Sequence, residues 1–154
     1  MEDRDRSTAE LGVAARDWGV TADGLTDEEA ARLAREQYRE GGLPVLQPDA
    51  SITPLLVDGE QVVGWRPEAG LSRVDETTHA VVRDEGPLYV TSDRLLHLGR
   101  ETTSLPLAEI AELAMADDRI LVTMSGSRGL MLDVAAPRQF RVLLAAARTA
   151  AVGR

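Results

Sequence analysis

The side chains that could do chemistry are few, and the densest group is Thr91-Ser92-Asp93, with His97 shortly after it. A hydroxyl, a carboxylate and an imidazole can serve as nucleophile, orienting acid and general base. The apolar residues on either side predict two short strands joined at this group, and a strand rises roughly 3.3 Å per residue. Ser92 and Asp93 would then lie roughly 13–16 Å along the strand from His97, whereas a nucleophile and its base need about 3 Å. The sequence therefore predicts a structural turn here, and we assign no catalytic residue.

The patterns of metal and phosphate sites are incomplete in this sequence. His79 and His97 are the only histidines and cysteine is absent, which leaves no zinc-binding spacing. Residues 19–30 contain Asp23-Gly24 but lack the first carboxylate and the final glutamate of a calcium loop. Residues 125–129 are rich in glycine but lack the lysine and hydroxyl that end a P-loop. The sequence predicts no metal, no cofactor and no enzyme.

The composition narrows the class of partner. The formal net charge is −9, which disfavours nucleic-acid binding through phosphate contacts. No apolar run reaches the roughly 18 residues of a membrane span, and the first ten residues are charged without an apolar signal region. All 17 basic residues are arginine, which we read as the coding bias of a GC-rich bacterial genome. We expect a cytoplasmic protein that binds no nucleic acid.

Helices are predicted in the first part of the chain. One begins at Ser7 and another at Thr26, and each start has the hydroxyl and following glutamate of a capping box. The next segment contains three prolines, which favours an extended connector. We therefore divide the chain into a helical pair at 1–42, a connector at 43–54 and a larger domain at 55–154.

From residue 55 onward the pattern changes to short strands separated by turns. Apolar and polar residues alternate in several segments, which is typical of an antiparallel sheet with one buried face. The candidate strand segments are 61–65, 79–83, 88–92, 94–98, 102–107, 110–115, 120–124 and 130–134. The segment 110–115 could instead be a helical turn, because residues 107–114 lack clean alternation.

The chain ends in a predicted helix that begins at Pro137, a residue suited to a first helical turn. One face is apolar and the opposite face carries Arg138, Arg141 and Arg148. Strands followed by one helix indicate an α+β fold. We predict a small antiparallel β-barrel or sandwich of six or seven strands, capped by the C-terminal helix and preceded by a helical extension.

Three segments carry a resemblance to a known family. Leu56-Val-Asp-Gly-Glu60 is similar to a Leu-x-x-Gly-Glu lead-in, and Gly86-x-Leu88-x-x-Thr91-x-x-Arg94-Leu95 is similar to a Gly-x-Leu-x-x-Thr-x-x-Arg-Leu hairpin. Leu105-x-Leu107-x-x-Ile110 looks like the strand that leads into a second sheet. Over residues 53–152 the chain thus resembles the PH-like superfamily, particularly bacterial PH and GRAM-type domains. The resemblance implies a binding module without catalytic residues, of a kind that binds lipid headgroups, peptides or proteins.

The resemblance also implies where a lipid would bind. Lipid-binding members have a basic cluster around the first loop between strands, and Arg66, Arg73 and Arg83 lie in that segment here. The acidic residues that dilute this cluster are Glu68, Asp75, Glu76, Asp84 and Glu85. Binding of anionic lipid at these three arginines is therefore the alternative hypothesis.

The leading hypothesis is a non-catalytic interaction module that binds a protein or peptide, with the N-terminal helices as a docking or dimerising element. It predicts a protein partner or self-association. Arg138, Arg141 and Arg148 are its candidate partner-binding residues, although such a row is more often a solvated face. A third hypothesis is a small enzyme or small-ligand protein with a pocket between the N-terminal helices and the barrel.

Overall fold

The computed structural model describes residues 24–75, 77–126 and 128–153. The predicted helix that begins at Ser7 lies outside these residues. The helices are α1 (Asp27–Gly41) and α2 (Pro137–Val152), and short 3₁₀ turns span Thr53–Leu55 and Leu107–Glu109. The strands are β1 (Val62–Val74), β2 (Val81–Thr91), β3 (Arg94–Leu98), β4 (Thr102–Pro106), β5 (Ile110–Ala116), β6 (Arg119–Met124) and β7 (Gly129–Val134).

The strands form one antiparallel sheet in the order β4-β3-β2-β1-β7-β6-β5. The sheet curls into a half-barrel, and α2 packs into it with Phe140 and Leu144 fully buried. Seven antiparallel strands closed by a C-terminal helix make an α+β, PH-like fold, so the predicted fold class is confirmed. The narrower GRAM-type assignment stays a prediction.

Buried and less buried residues alternate along the strands that build the core, as the sequence predicts. In β6, Ile120, Val122 and Met124 are buried, and the residues between them are less so. The same alternation continues in β7. Because side chains of a strand alternate between the two faces of a sheet, these buried sets line the inside of the half-barrel.

Most of the two segments predicted as separate strands at 79–83 and 88–92 belongs to one long strand, β2, which begins at Val81 and ends at Thr91. Pro87 interrupts the apolar pattern without ending the strand, because the pairing of β1 with β2 shifts register between Arg66 and Ala69, opposite this proline. A bulge of this kind accommodates a residue that has no N–H to donate. The ambiguous segment at 110–115 is a strand, and the helical character just before it is taken up by the 3₁₀ turn at Leu107–Glu109.

A buried ion pair explains much of the hairpin motif. The Glu60 carboxylate accepts hydrogen bonds from Arg94 Nε at 2.9 Å, Arg94 Nη2 at 3.1 Å and Thr91 Oγ1 at 2.5 Å. Burial raises the pKa of Glu60, but these bonds and one from the Val57 N–H outweigh burial and hold the pKa below its ordinary value. The network ties the β2–β3 turn to the segment that leads into β1.

The other motif positions are also structural. Leu88 and Leu95 are core residues. Gly86 lies so close to the Leu98 carbonyl oxygen that a Cβ at this position would overlap it. The residues that carry the resemblance therefore maintain the fold.

Candidate functional site

Helix α1 is held against α2 by a shared cap. The α2 N-cap residue, Ala136, has no side-chain acceptor to offer. The Asp27 carboxylate of α1 supplies it, accepting the backbone N–H groups of Arg138 at 2.7 Å and Gln139 at 3.0 Å. An acidic group at a helix N-terminus satisfies free amides and is favoured by the helix dipole. Next to this cap, Ala31 and Ala34 pack against Val142.

A groove, which we call the helix groove, runs between the C-terminal half of α1 and α2 and has a volume of about 490 Å³. Its cationic lining is Arg35, Arg39 and Arg141. Its remaining lining, mostly apolar, is Tyr38, Gly42, Leu43, Val142, Ala145, Ala146, Thr149 and Ala150. The surface thus combines an apolar wall with positive charge.

The groove arginines are not neutralised within the described residues. None of Arg35, Arg39 and Arg141 has a carboxylate oxygen of that part of the chain within 4.0 Å. The Nε of Arg141 is buried with no hydrogen-bond partner there. Helix α2 contains no acidic residue, so no carboxylate one turn away can reach Arg141 along its own helix. The helix groove is therefore a positive surface on a chain of net charge −9.

A smaller cavity of about 170 Å³, the Arg66 pocket, lies on the other side of Tyr38. Its lining residues are Tyr38, Leu46, Val63, Gly64, Trp65, Arg66, Gln139 and Leu143. Trp65 is 44% exposed and Leu46 is 36% exposed. Tyr38 is a wall of both cavities, so the helix groove and the Arg66 pocket adjoin each other.

Arg66 itself is fixed by neutral groups. Its guanidinium lies 4.7 Å from the centroid of the Phe140 ring. Nε donates to the Ala135 carbonyl at 2.9 Å, Nη1 donates to the Trp65 carbonyl at 3.0 Å, and Nη2 lies 3.5 Å from the Gln139 side-chain oxygen. Burial lowers the pKa of Arg66, and the Tyr38 hydroxyl and the Asp27 carboxylate oppose that change.

The structure does not bring the three predicted lipid-binding arginines together. Arg66 and Arg73 are roughly 20 Å apart along β1 at about 3.3 Å per residue. Arg73 lies 3.5 Å from Glu101. Arg83 pairs with Glu85 and, at 3.1 Å, with Asp133. Arg83 is paired in register with Ser72, so Arg73 and Arg83 lie on opposite faces of the sheet.

The three predicted partner-binding arginines of α2 also have different surroundings. Arg138 Nη1 lies 3.6 Å from Asp27 and 3.3 Å from Asp118. Arg148 Nε donates to the Ile110 carbonyl at 2.6 Å. Arg141 lines the helix groove. Their described partners thus tie Arg138 and Arg148 to the fold, and Arg141 faces a cavity.

Ser92 and His97, which the sequence analysis considered as possible catalytic residues, make contacts that maintain the fold. His97 is buried and its Nε2 lies 3.0 Å from the Ala69 carbonyl, which adjoins the β1 bulge. The Ser92 hydroxyl accepts the N–H of Gln61 at 3.0 Å. Within the described residues no three His, Cys, Asp or Glu side chains gather as a metal site. No helix in the same part of the chain is long and apolar enough to cross a membrane.

The sequence analysis did not identify Arg35, Arg39, Trp65 and Gln139 as residues that line a cavity. Leu33 of α1 is exposed, and the buried face of that helix is made of alanines that include Ala31. The available signal was the pair of arginines one helical turn apart on either side of Tyr38.

Comparisons with known proteins show only distant similarity. No family model and no curated protein matches the chain. A crystal structure of the C-terminal domain of an unknown protein from Leishmania infantum is 16% identical and covers 64% of this chain and 92% of that one, with a TM-score of 0.49. The Dm DCP1 EVH1 domain in complex with the XRN1 DBM peptide is 13% identical over 84% of this chain and 96% of that one, with a TM-score of 0.47.

The linker-DH/PH domains of p115-RhoGEF are 15% identical over 83% of this chain and 41% of that one, with a TM-score of 0.44. At these identities and TM-scores no functional statement about this chain rests on the comparisons.

Proposed function

We propose that this protein is a non-catalytic interaction module that binds an acidic, partly apolar segment of a protein partner in the helix groove. Helix α1 acts as the docking element, because it supplies Arg35, Tyr38 and Arg39. The observation that carries the proposal is the group of three arginines that line an apolar groove without a carboxylate partner in the described part of the chain.

The geometry suits a peptide segment. A volume of about 490 Å³ is in the range of binding sites, which are about 300–1,000 Å³ and mostly apolar with a few oriented polar groups. The small side chains Ala145, Ala146 and Ala150 allow a partner backbone to approach α2 closely. Arginine stems add apolar contact while their guanidinium groups select carboxylates, frequently by paired hydrogen bonds.

The contacts of the predicted lipid-binding arginines do not favour the alternative. Arg73 and Arg83 each face a carboxylate, and the Arg66 guanidinium is packed on Phe140. A negatively charged membrane would also meet a chain of net charge −9.

The test uses the full chain and two fluorescent 16-residue peptides. One contains leucine, alanine and glutamate, and the other has lysine in place of every glutamate. Fluorescence anisotropy should show binding of the acidic peptide alone. The variant Arg35→Glu/Arg39→Glu should weaken that binding at least about tenfold, because two attractions become repulsions.

The matched control is Arg119→Glu/Arg128→Glu, which makes the same charge change at exposed residues outside the groove. It should change affinity less than about twofold, the effect expected of distant screened charges. Equal weakening by both variants, or equal binding of both peptides, contradicts the proposal. Flotation with anionic liposomes that depends on Arg73 and Arg83 would replace it with the lipid function.

A further inference from the structure

The Arg66 pocket contains a positive charge that the described chain does not neutralise. No carboxylate oxygen of the described residues lies within 4.0 Å of Arg66. Its three hydrogen-bond acceptors are two backbone carbonyls and an amide, all uncharged. Asp27 acts on Arg66 only through space, since its oxygens receive the N–H groups of Arg138 and Gln139. Taking a cation out of water is unfavourable unless an anion is placed beside it.

The contact to Gln139 is the weakest of the three. At 3.5 Å it is longer than an ordinary N–H···O hydrogen bond of about 2.7–3.2 Å, whereas the other two are 2.9 and 3.0 Å. Nε and Nη1 thus hold the guanidinium in place and stack it on Phe140, and Nη2 keeps capacity for a further acceptor. The same pocket is walled by Trp65, Leu46 and Leu143, which suit an apolar group beside that acceptor.

We infer that the Arg66 pocket is a carboxylate subsite, in which Arg66 binds a partner's carboxylate while Trp65 and Leu46 contact the aliphatic group next to it. The inference rests on the proposed function, because the pocket adjoins the helix groove at Tyr38 and would anchor one residue of the same partner segment. The carboxylate can come from the free C-terminus of the partner or from an aspartate or glutamate side chain.

The probe for the subsite is 4-methylpentanoate, and its control is 4-methylpentanamide, which has the same shape and no charge. Binding is followed by NMR through the indole N–H signal of Trp65, with Trp18→Phe used to assign that signal. The carboxylate should give a saturable shift and the amide should give none. Equal binding of both compounds overturns the inference.

The decisive variant is Gln139→Glu. It places a carboxylate where Arg66 Nη2 now meets a neutral oxygen, so the protein supplies the anion itself. Residue 139 lies in the first turn of α2, where the Asp27 carboxylate already caps the helix, and the Arg66 guanidinium would offset repulsion between the two carboxylates, so the thermal midpoint should not fall. The affinity for 4-methylpentanoate should fall at least about fivefold, as expected when a charged partner is already in place.

The matched control is Gln37→Glu, the same change on α1 at an exposed residue that lines neither cavity. It should leave binding of the probe unchanged. Unchanged binding in Gln139→Glu overturns the subsite, and so does an equal loss in both variants. If Gln139→Glu lowers the thermal midpoint, Arg66→Lys provides the second variant, because it keeps a charge without the planar pair of donors and should also lose the probe.

Two further peptide measurements identify the source of the carboxylate. The acidic peptide is compared with a free C-terminus and with an amidated one, in the wild type and in Gln139→Glu. If the subsite binds a C-terminus, the wild type should bind the amidated peptide as weakly as Gln139→Glu binds the peptide with a free C-terminus. If the subsite binds an aspartate or glutamate side chain, amidation should not change the affinity, and Gln139→Glu should still bind both peptides more weakly than the wild type does.

Failure of the subsite is distinguishable from failure of the proposed function. If the subsite alone is wrong, the acidic peptide still binds in a manner that depends on Arg35 and Arg39, and Gln139→Glu binds it equally well. If the proposed function alone is wrong, the acidic and basic peptides bind equally or neither binds, whereas 4-methylpentanoate still binds at Arg66 and loses affinity in Gln139→Glu.

Discussion

The Asp27 carboxylate, at the start of α1, accepts the backbone N–H of Arg138, in the first turn of α2, at 2.7 Å. These residues are far apart in the chain, and their contact sets one helix against the other. The walls of the helix groove and of the Arg66 pocket come from both helices, so both cavities depend on this contact.

Replacing Asp27 with Ala should lower the free energy of unfolding by about 1–2 kcal/mol, the usual effect of removing a helix cap. Asp27→Asn keeps an acceptor and should lose less. Chemical denaturation measures both. Glu28→Ala removes an exposed acidic neighbour and should change stability by less than about 0.5 kcal/mol. An equal effect at both positions would show that Asp27 acts through its charge and not through the cap.

Replacing Glu60 with Gln should cost about 3 kcal/mol at neutral pH, the lower part of the range for a broken buried ion pair, since 25% of the Arg94 side chain remains exposed. The folded pKa of Glu60 is lowered, so its contribution is complete above the ordinary value of 4.5 and is lost as pH falls through the folded pKa. The difference in unfolding free energy between wild type and Glu60→Gln should therefore shrink below pH 4.5. A constant difference would contradict the assignment.

Gly86→Ala should destabilise the protein by about 2–3 kcal/mol, because the new Cβ would overlap the Leu98 carbonyl oxygen and backbone cannot move aside as a flexible side chain can. Gly129→Ala is the matched control in another strand of the sheet. Its Cβ would lie 3.8 Å from Leu121 Cδ1, an ordinary contact. Thermal and denaturant unfolding should separate the two variants clearly. Equal stability would mean that β3 can shift at no cost.

Tyr89 should ionise at unusually high pH. Burial and, after it, the hydrogen bond from its hydroxyl to Asp49, 2.7 Å long, together raise the pKa of Tyr89 to about 12. Stability from this raised pKa is complete below the ordinary value of 10 and is lost as pH rises towards 12. In the Tyr38→Phe background Tyr89 is the only tyrosine, so its phenolate absorbance can be titrated alone.

The matched variant is Asp49→Asn, which keeps an acceptor and removes the negative charge. In this variant the titration midpoint of Tyr89 should be lower than in the Tyr38→Phe parent but should stay above 10, because Tyr89 remains buried. A parent midpoint near 10 would contradict the contact that joins the connector to β2.

Much of the fold could be predicted because its signals are local. Alternation in β6 and β7, the capping box at Thr26 and the proline at the start of α2 are each read from a few neighbouring residues, and all are present. The joined strand β2 was missed because it depends on a bulge in a different strand.

The candidate site was harder to predict because its residues are distant in sequence. Arg35 and Arg141 line one groove because α1 packs on α2, where Asp27 caps the second helix, and no local sequence pattern reports that packing. Arg66 reads as a surface cation in sequence. Its burial follows from the packing of Phe140 and from the carbonyl of Ala135, which only the folded chain places beside it.

The side chains that helix α1 buries are mostly small, among them Ala30, Ala31 and Ala34. The main packing partner of α1 is α2, not the sheet. Alanines contribute little apolar area, so this helix belongs to the least protected part of the molecule and should exchange its amide hydrogens before the strands do. Sub-global opening of α1 would remove Tyr38, the wall that both cavities share. Recognition would then be lost reversibly while the half-barrel stays intact.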